Sequence, residues 1–363
     1  MARYKALDAM RGLTITLMIL VNTPGSWSHV YAPLLHADWH GCTPTDVIFP
    51  FFMFMIGSAM FFSFNKSDHL GNSKQVLRII KRGVIIFAIG LVLNYYPFIS
   101  NLENLRILGV LQRIGIAYIF ASLCVLVLNR NGILTLSLIV LVLYWLLLLL
   151  LLLSVGAEKA YTLEYNVVRL VDITVLGESH LWQGKGLAFE PEGLLSTIPS
   201  IVSVLLGFET TRLLVNTQNK WTSIKRLVLI GAAGIIIAQL GDIIMPINKS
   251  LWTSTYVIYT SGIACITLAF FVWLCDIVKP PAIVESLIVY GSNPLFIYVL
   301  SGVWVMSYAL VSIGKLTLDD WLYQHLALIF TAKLASLVYA LLHVVGFWLI
   351  AKVLHKRRIF IKI

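Results

Sequence analysis

Three histidines, two tryptophans and two acids fall within residues 22–46: His29, His36 and His40, Trp27 and Trp39, Asp38 and Asp46. An imidazole gives or takes a proton near neutral pH, so this stretch carries the means for general acid–base chemistry. Ordinary surface-loop chemistry with interfacial aromatics reads from the same residues. Thr43 and Thr45 also suit the cap of a following helix ahead of Asp46.

Three more polar groups stand beside apolar stretches. Arg106 and Arg113 are seven apart, a spacing that predicts one helix face, with Gln112 adjacent. Arg113 lies deeper and calls for a buried carboxylate or a ligand anion as partner. Asp242, Asn248, Lys249, Trp252 and Thr253 form a mixture able to hold a sugar, the indole against a ring face and polar groups on hydroxyls. The alternative is an interfacial turn anchored by Trp252. Asn293, in the stretch GSNPLFIYVLS, reads either as site residue or as a hydrogen bond between helices. In FEPEGLLSTIPS, Pro191 predicts a first helical position, with Glu192 near the positive end of the dipole.

The elements that must position these residues are apolar helices. Hydrophobic residues make up 59% of the 363 positions and charged residues 12%, half the share of a soluble domain. Such a chain needs lipid as part of its solvent. About 20 apolar residues cross the hydrocarbon, and ten stretches qualify: 7–23, 45–64, 78–97, 106–128, 132–154, 194–215, 225–244, 254–276, 284–311 and 330–354. The fifth holds eight consecutive leucines, Leu146 to Leu153, which predict a lipid-facing surface. The ninth contains Asn293-Pro294, which predicts a kink. The expectation is an all-α, polytopic bundle of about ten spans, forming one domain over 1–363.

With the N-terminus in the cytoplasm, 19 of the 27 Lys and Arg fall on the cytoplasmic side and six on the far side. That bias predicts cytoplasmic termini. It explains the net charge of +10 without nucleic acid as a partner. Two far-side loops result, 23–44 and 155–191. The second is too polar to span and too long for a plain connector. The first apolar stretch holds Asp8 and Arg11 and lacks a small-residue cleavage site, so it reads as a retained helix. The four cysteines, Cys42, Cys124, Cys265 and Cys275, show no disulfide or zinc pattern. Phosphate-binding glycine loops, metal-ligand triads and nucleophile elbows are lacking.

The stretches LDAMRGLTITLMILVN (7–22), HADWHGCTPTDVIFPFFMFMIG (36–57), RILGVLQRIGIAY (106–118), EPEGLLSTIPSIVSVLLG (190–207), PINKSLWTS (246–254) and GSNPLFIYVLS (291–301) together resemble the heparan-α-glucosaminide N-acetyltransferase family, particularly its bacterial members. The resemblance covers nearly the whole chain, and the second stretch is its most specific part. It implies a transferase moving the acetyl group of cytosolic acetyl-CoA to an amino sugar across the bilayer. It also implies a homodimer and, for a bacterial member, the inner membrane. The family's active-site histidine falls on His36 and its asparagine on Asn22. Two departures stand out: the chain begins at RYKALDAMRG, without the lysosomal enzyme's luminal region and first helix, and Glu190 stands where Asp is expected.

On this reading His36 is the base, or is itself acetylated first in a ping-pong scheme, Asn22 is the carbonyl or oxyanion donor, and Asp46 is the group that orients His36. Asp242, Lys249, Trp252, Asn293 and Trp39 bind the sugar, Arg11 and Arg113 the CoA, and no metal takes part. The rivals are a sugar transporter, against which the lack of paired broken helices speaks, and an O-acetyltransferase of an envelope polysaccharide.

Overall fold

The computed structural model describes residues 4–64, 73–99, 101–150 and 159–361. Nearly all regular structure there is helical. Seven helices are long and apolar enough to cross a membrane: Pro44–Phe64, Val110–Val127, Arg130–Leu150, Leu194–Asn216, Lys220–Gly241, Ser254–Val278 and Ala332–Lys356. An eighth crossing results if the bent pair Ala282–Tyr290 and Pro294–Tyr308 counts as one. The first and third expected spans are also helical, Lys5–Asn22 and Ser73–Tyr95. Their composition is less apolar, with Lys5, Asp8 and Arg11 in one and Lys74, Arg78, Lys81 and Arg82 in the other.

The chain divides into two compact units. The first comprises Met1–Ala37, Thr43–Phe52 and Phe270–Lys362. Its helices are α1 (Lys5–Asn22), the start of α2 (Ile48–Phe64), α10 (Ala282–Tyr290), α11 (Pro294–Tyr308), α12 (Leu318–Ala327) and α13 (Ala332–Lys356). α1 packs on α10 with backbones almost touching. A Cβ on Gly12 would overlap the Leu287 carbonyl oxygen, and one on Gly291 would overlap the Asp8 carbonyl oxygen. Small residues at such crossings are the usual means of close helix approach in membranes.

The expected kink at Asn293-Pro294 is a full break: α10 and α11 meet at 78°. Proline cannot supply the N–H that would continue α10, but it fits the first position of α11. Asn293 occupies the position before that start, is buried, and turns its side chain to the chain end rather than to the helix.

The second unit comprises Asp38–Cys42 and Met53–Ala269. It holds the rest of α2, α3 (Ser73–Tyr95), α4 (Val110–Val127), α5 (Arg130–Leu150), a short α6 (Val167–Leu176), α7 (Leu194–Asn216), α8 (Lys220–Gly241) and most of α9 (Ser254–Trp273). α2 and α7 approach through Gly57 and Gly207, whose hydrogens face the Val204 and Phe54 carbonyls.

Three expectations change here. Arg106 and Arg113 do not share a helix face, because α4 begins only at Val110 and Arg106 lies in the extended segment before it. Pro191 does not open a helix. Residues 191–192 form a turn, and α7 starts at Leu194 after Gly193. The leucine run is not uniformly outward: Leu146 and Leu150 are exposed, but Leu148 is buried against Tyr144 and Phe189. Leu151, Leu152 and Leu153 lie outside the described residues.

Candidate active site

In the first unit, α1 ends at Asn22, which is exposed. The chain then runs through two short 3₁₀ turns, Trp27–His29 and Ala32–Leu34, to His36. A third turn, Pro44–Val47, leads into α2 and carries Asp46. Thr43 and Asp46 form a capping box there, each side chain meeting the other's backbone N–H.

Nδ1 of His36 lies 2.7 Å from Oδ1 of Asp46. Oδ2 of Asp46 accepts from the backbone N–H of Ala37 at 3.0 Å, the backbone N–H of Thr43 at 3.0 Å and the Thr43 hydroxyl at 2.9 Å. Four donors thus converge on a carboxylate whose side chain is 1% exposed, while the His36 side chain is 50% exposed. With Nδ1–H donating to Oδ1 of Asp46, Nε2 is the acceptor nitrogen of the neutral ring.

The helices behind this loop fix its start. Ser26 N–H donates to Oγ of Ser336 at 3.2 Å, and Gly25 N–H donates to the Ser336 carbonyl at 3.4 Å. Arg11 donates to Asp8 at 3.0 Å and to the Gly291 carbonyl at 3.3 Å. Asn293 is engaged with the chain end: its Nδ2 donates to the Ile359 carbonyl at 3.0 Å, and its Oδ1 accepts from Ile361 N–H at 2.8 Å.

In the second unit, residues 38–42 are stitched to the turn between α8 and α9. Nδ2 of Asn248 donates to the Trp39 carbonyl at 2.9 Å, and Gly41 N–H donates to the Ile247 carbonyl at 2.7 Å. The Trp39 indole N–H donates to the Tyr161 carbonyl at 2.6 Å, and its ring meets Phe189 edge-on at 5.4 Å. Lys185 donates to the Asp38 carbonyl at 2.6 Å. Asp242 is exposed and accepts from Ile247 N–H at 2.6 Å. Desolvation lowers the pKa of His40 below the ordinary imidazole value, against the opposing carboxylate of Asp242.

Beneath this turn lies a buried ionic cluster. Arg106 forks onto Glu190 with Nε to Oε2 at 2.8 Å and Nη2 to Oε1 at 2.6 Å, and Nη2 also reaches Glu192 at 2.8 Å. Burial acts to raise the Glu192 pKa, but the cations Arg106, Arg113 and Lys249 outweigh it and hold the carboxyl below the usual range. Arg113 is fully buried. It donates to the Pro191 carbonyl at 2.7 Å and to Oγ of Ser196, and its guanidinium sits 4.7 Å from the centre of the Trp252 ring. Nε and Nη1 of Arg113 have no hydrogen-bond partner. Trp252 is 1% exposed, so its indole serves first as a face for Arg113. Asp172, on α6, is buried and takes one bond, from Leu194 N–H at 2.9 Å; burial raises its pKa to about 7.

Of the residues expected from the sequence, His36 lies beside Asp46, Asn248 bonds the Trp39 carbonyl, and Arg113 lies in the ionic cluster with Trp252. Sequence reasoning missed Asp172 and the pairing of Arg106 with Glu190. The available signal for Asp172 was an acid inside the apolar run VVRLVDITVL. Among the described residues no group of three or more metal-ligating side chains converges.

The helices and the half-exposed histidine held by a buried carboxylate define a multi-pass membrane protein with an acid–base pair at a helix end. Residues 3–227 match the family described as Heparan-alpha-glucosaminide N-acetyltransferase, catalytic, and the chain belongs to that family. It is 26% identical to the Heparan-alpha-glucosaminide N-acetyltransferase of Mus musculus over 99% of this chain and 60% of the mouse protein. It is 27% identical to the Homo sapiens protein of that name over 72% of this chain and 47% of the human one. The chain therefore spans about half to three-fifths of these relatives' length.

Proposed function

We propose that this chain is a transmembrane acetyltransferase that moves the acetyl group of cytosolic acetyl-CoA to the amine of a glucosamine-type sugar on the far side of a bacterial inner membrane. The observation that carries the reading is the 2.7 Å contact between His36 Nδ1 and Asp46. It orients the imidazole, leaving Nε2 as the acceptor nitrogen of the neutral ring, which is the tautomer a general base needs.

The amine attacks the thioester carbonyl carbon. Nε2 of His36 takes the ammonium proton as the C–N bond forms. Asn22 donates from its side-chain amide to the developing oxyanion. The C–S bond then breaks, and His36 returns the proton to the departing thiolate. Asp46 stabilises the imidazolium between these steps, as carboxylates do in related triads.

Asp242, Lys249 and Trp39 are the proposed sugar contacts. Trp252 supports them by fixing Arg113, and Asn293 braces the end of the chain. Arg11 and Arg113 are the proposed CoA partners. Arg11 is already paired with Asp8, so phosphate binding there requires exchange of partners. The protein is proposed to work as a homodimer with cytoplasmic termini.

The test uses purified protein in nanodiscs, radiolabelled acetyl-CoA and a panel of amino sugars, with His36→Ala alongside. Acetylated sugar from the wild type and none from the variant supports both reaction and base. Sugar uptake into vesicles without CoA release from any acceptor defeats the enzyme reading in favour of transport.

A further inference from the structure

The first unit holds a cavity of about 520 Å³ between α11, α12 and α13. It lies beyond residues 3–227, the part matched by the catalytic family. Its volume is that of a small-molecule site. None of the side chains lining it is Lys, Arg, Asp or Glu. Ile329 and Leu342, two of its lining residues, are 75% and 58% exposed, so its mouth is apolar.

One polar chain runs along the wall. His343 Nδ1–H donates to the Tyr339 carbonyl at 2.9 Å, which makes Nε2 the acceptor of the neutral ring. The Tyr308 hydroxyl lies 3.1 Å from that Nε2 and donates to it. The Trp304 indole N–H donates to the Tyr308 oxygen at 2.6 Å. A phenol oxygen accepts twice, so Tyr308 keeps one acceptor position. Beside it, the Tyr339 hydroxyl is buried without any hydrogen-bond partner, which costs free energy unless a group arrives to meet it.

An acceptor position and an unmet hydroxyl, on a wall lined by no charged side chain although the Asp319 and Asp320 carboxylates lie near Tyr339, suit a headgroup that donates one hydrogen bond and accepts one. We propose that this cavity binds an uncharged, hydroxyl-headed lipid, its hydrocarbon along Leu342 and Phe347 and its hydroxyl shared between Tyr308 and, after a small turn of the ring, Tyr339. An anionic headgroup would lie unpaired, with no Lys or Arg in the lining and the Asp319 and Asp320 carboxylates near Tyr339.

Gly346 supplies a direct test, because a Cβ there meets nothing within 4 Å. Gly346→Phe fills the cavity from α13, and Tyr339→Phe removes only the unmet hydroxyl. The probe is a diazirine-bearing hexadecanol photolabelled into the full chain in nanodiscs, with labelled peptides mapped by mass spectrometry. Both variants are first matched to the wild type by Tm and elution volume, and Tyr339→Phe carries the test alone if Gly346→Phe does not fold. The expected result is label on Pro294–Tyr308 and Ala332–Lys356, competed by hexadecanol and not by hexadecane. Label falls to background in Gly346→Phe and about fivefold in Tyr339→Phe, the loss of one hydrogen bond. Equal competition by hexadecane, stronger competition by hexadecyl phosphate, or unchanged labelling of Tyr339→Phe overturns the proposal. So does a change of oligomeric mass in Gly346→Phe, which would make this face an interface between copies.

Discussion

Asp46 sits ten residues after His36, yet its Oδ1 is 2.7 Å from the imidazole while its Oδ2 closes the cap of the next helix. One carboxylate therefore joins the helix cap to the imidazole, and under the proposed mechanism it would serve folding and proton transfer together. The loop cannot rearrange without breaking the start of α2.

Asp46→Asn retains the shape but places an N–H where donors already point. The expected loss in kcat/KM is about 100-fold or more, by analogy with removing the carboxylate of a catalytic triad. CoA release measured with a thiol reagent reads it. Activity within a factor of three of the wild type would remove Asp46 from the mechanism.

Asp172 gives stability a pH dependence. Its folded pKa, about 7, lies above the ordinary carboxyl value. The folded chain then holds a proton that the unfolded chain releases, so stability is full below about pH 4 and declines as pH rises toward 7. Asp172→Asn keeps the acceptor for Leu194 N–H and no longer ionises. Its melting temperature is expected to be flatter than that of the wild type between pH 5 and 8, and higher at pH 8. Parallel curves would show that Asp172 ionises freely.

Glu190→Asp tests the reach of the acid under Arg106. The shorter side chain cannot keep both arms of the fork, so one charge-assisted bond is lost, about 1.5–3 kcal/mol. Denaturant unfolding in mixed micelles measures it. An unchanged midpoint would show that the backbone can follow the shorter arm.

Asn293→Ala releases the bonds to Ile359 and Ile361. Cleavage by trypsin after Lys356, Arg357 or Arg358 is expected to rise about tenfold, from two lost hydrogen bonds. Equal cleavage would place the restraint elsewhere.

Much of this was legible in the chain. Apolar length located seven helices able to cross a membrane, against ten expected; His36 and Asp46 stood out as polar residues beside helix ends, while Asn22 was singled out by the family resemblance. What was hidden depends on partners far away in sequence. Arg106 meets Glu190 across 84 positions, and no periodicity encodes that pairing. The start of α4 was misplaced because residues 106–109 are apolar enough to read as helix, whereas the Arg106 and Leu108 carbonyls bond instead to the side chain of Asn94. Hydropathy also reads Leu148 like its neighbours, although burial distinguishes them.

The crossing at Gly12 has a consequence for the far end of α1. Ten residues separate it from Asn22, about 15 Å of helix. With Leu287 touching at position 12, α1 pivots about a fixed fulcrum. A methyl group there would swing the tip that carries Asn22, so if Asn22 acts as proposed, a substitution remote from it would weaken activity by misaim alone.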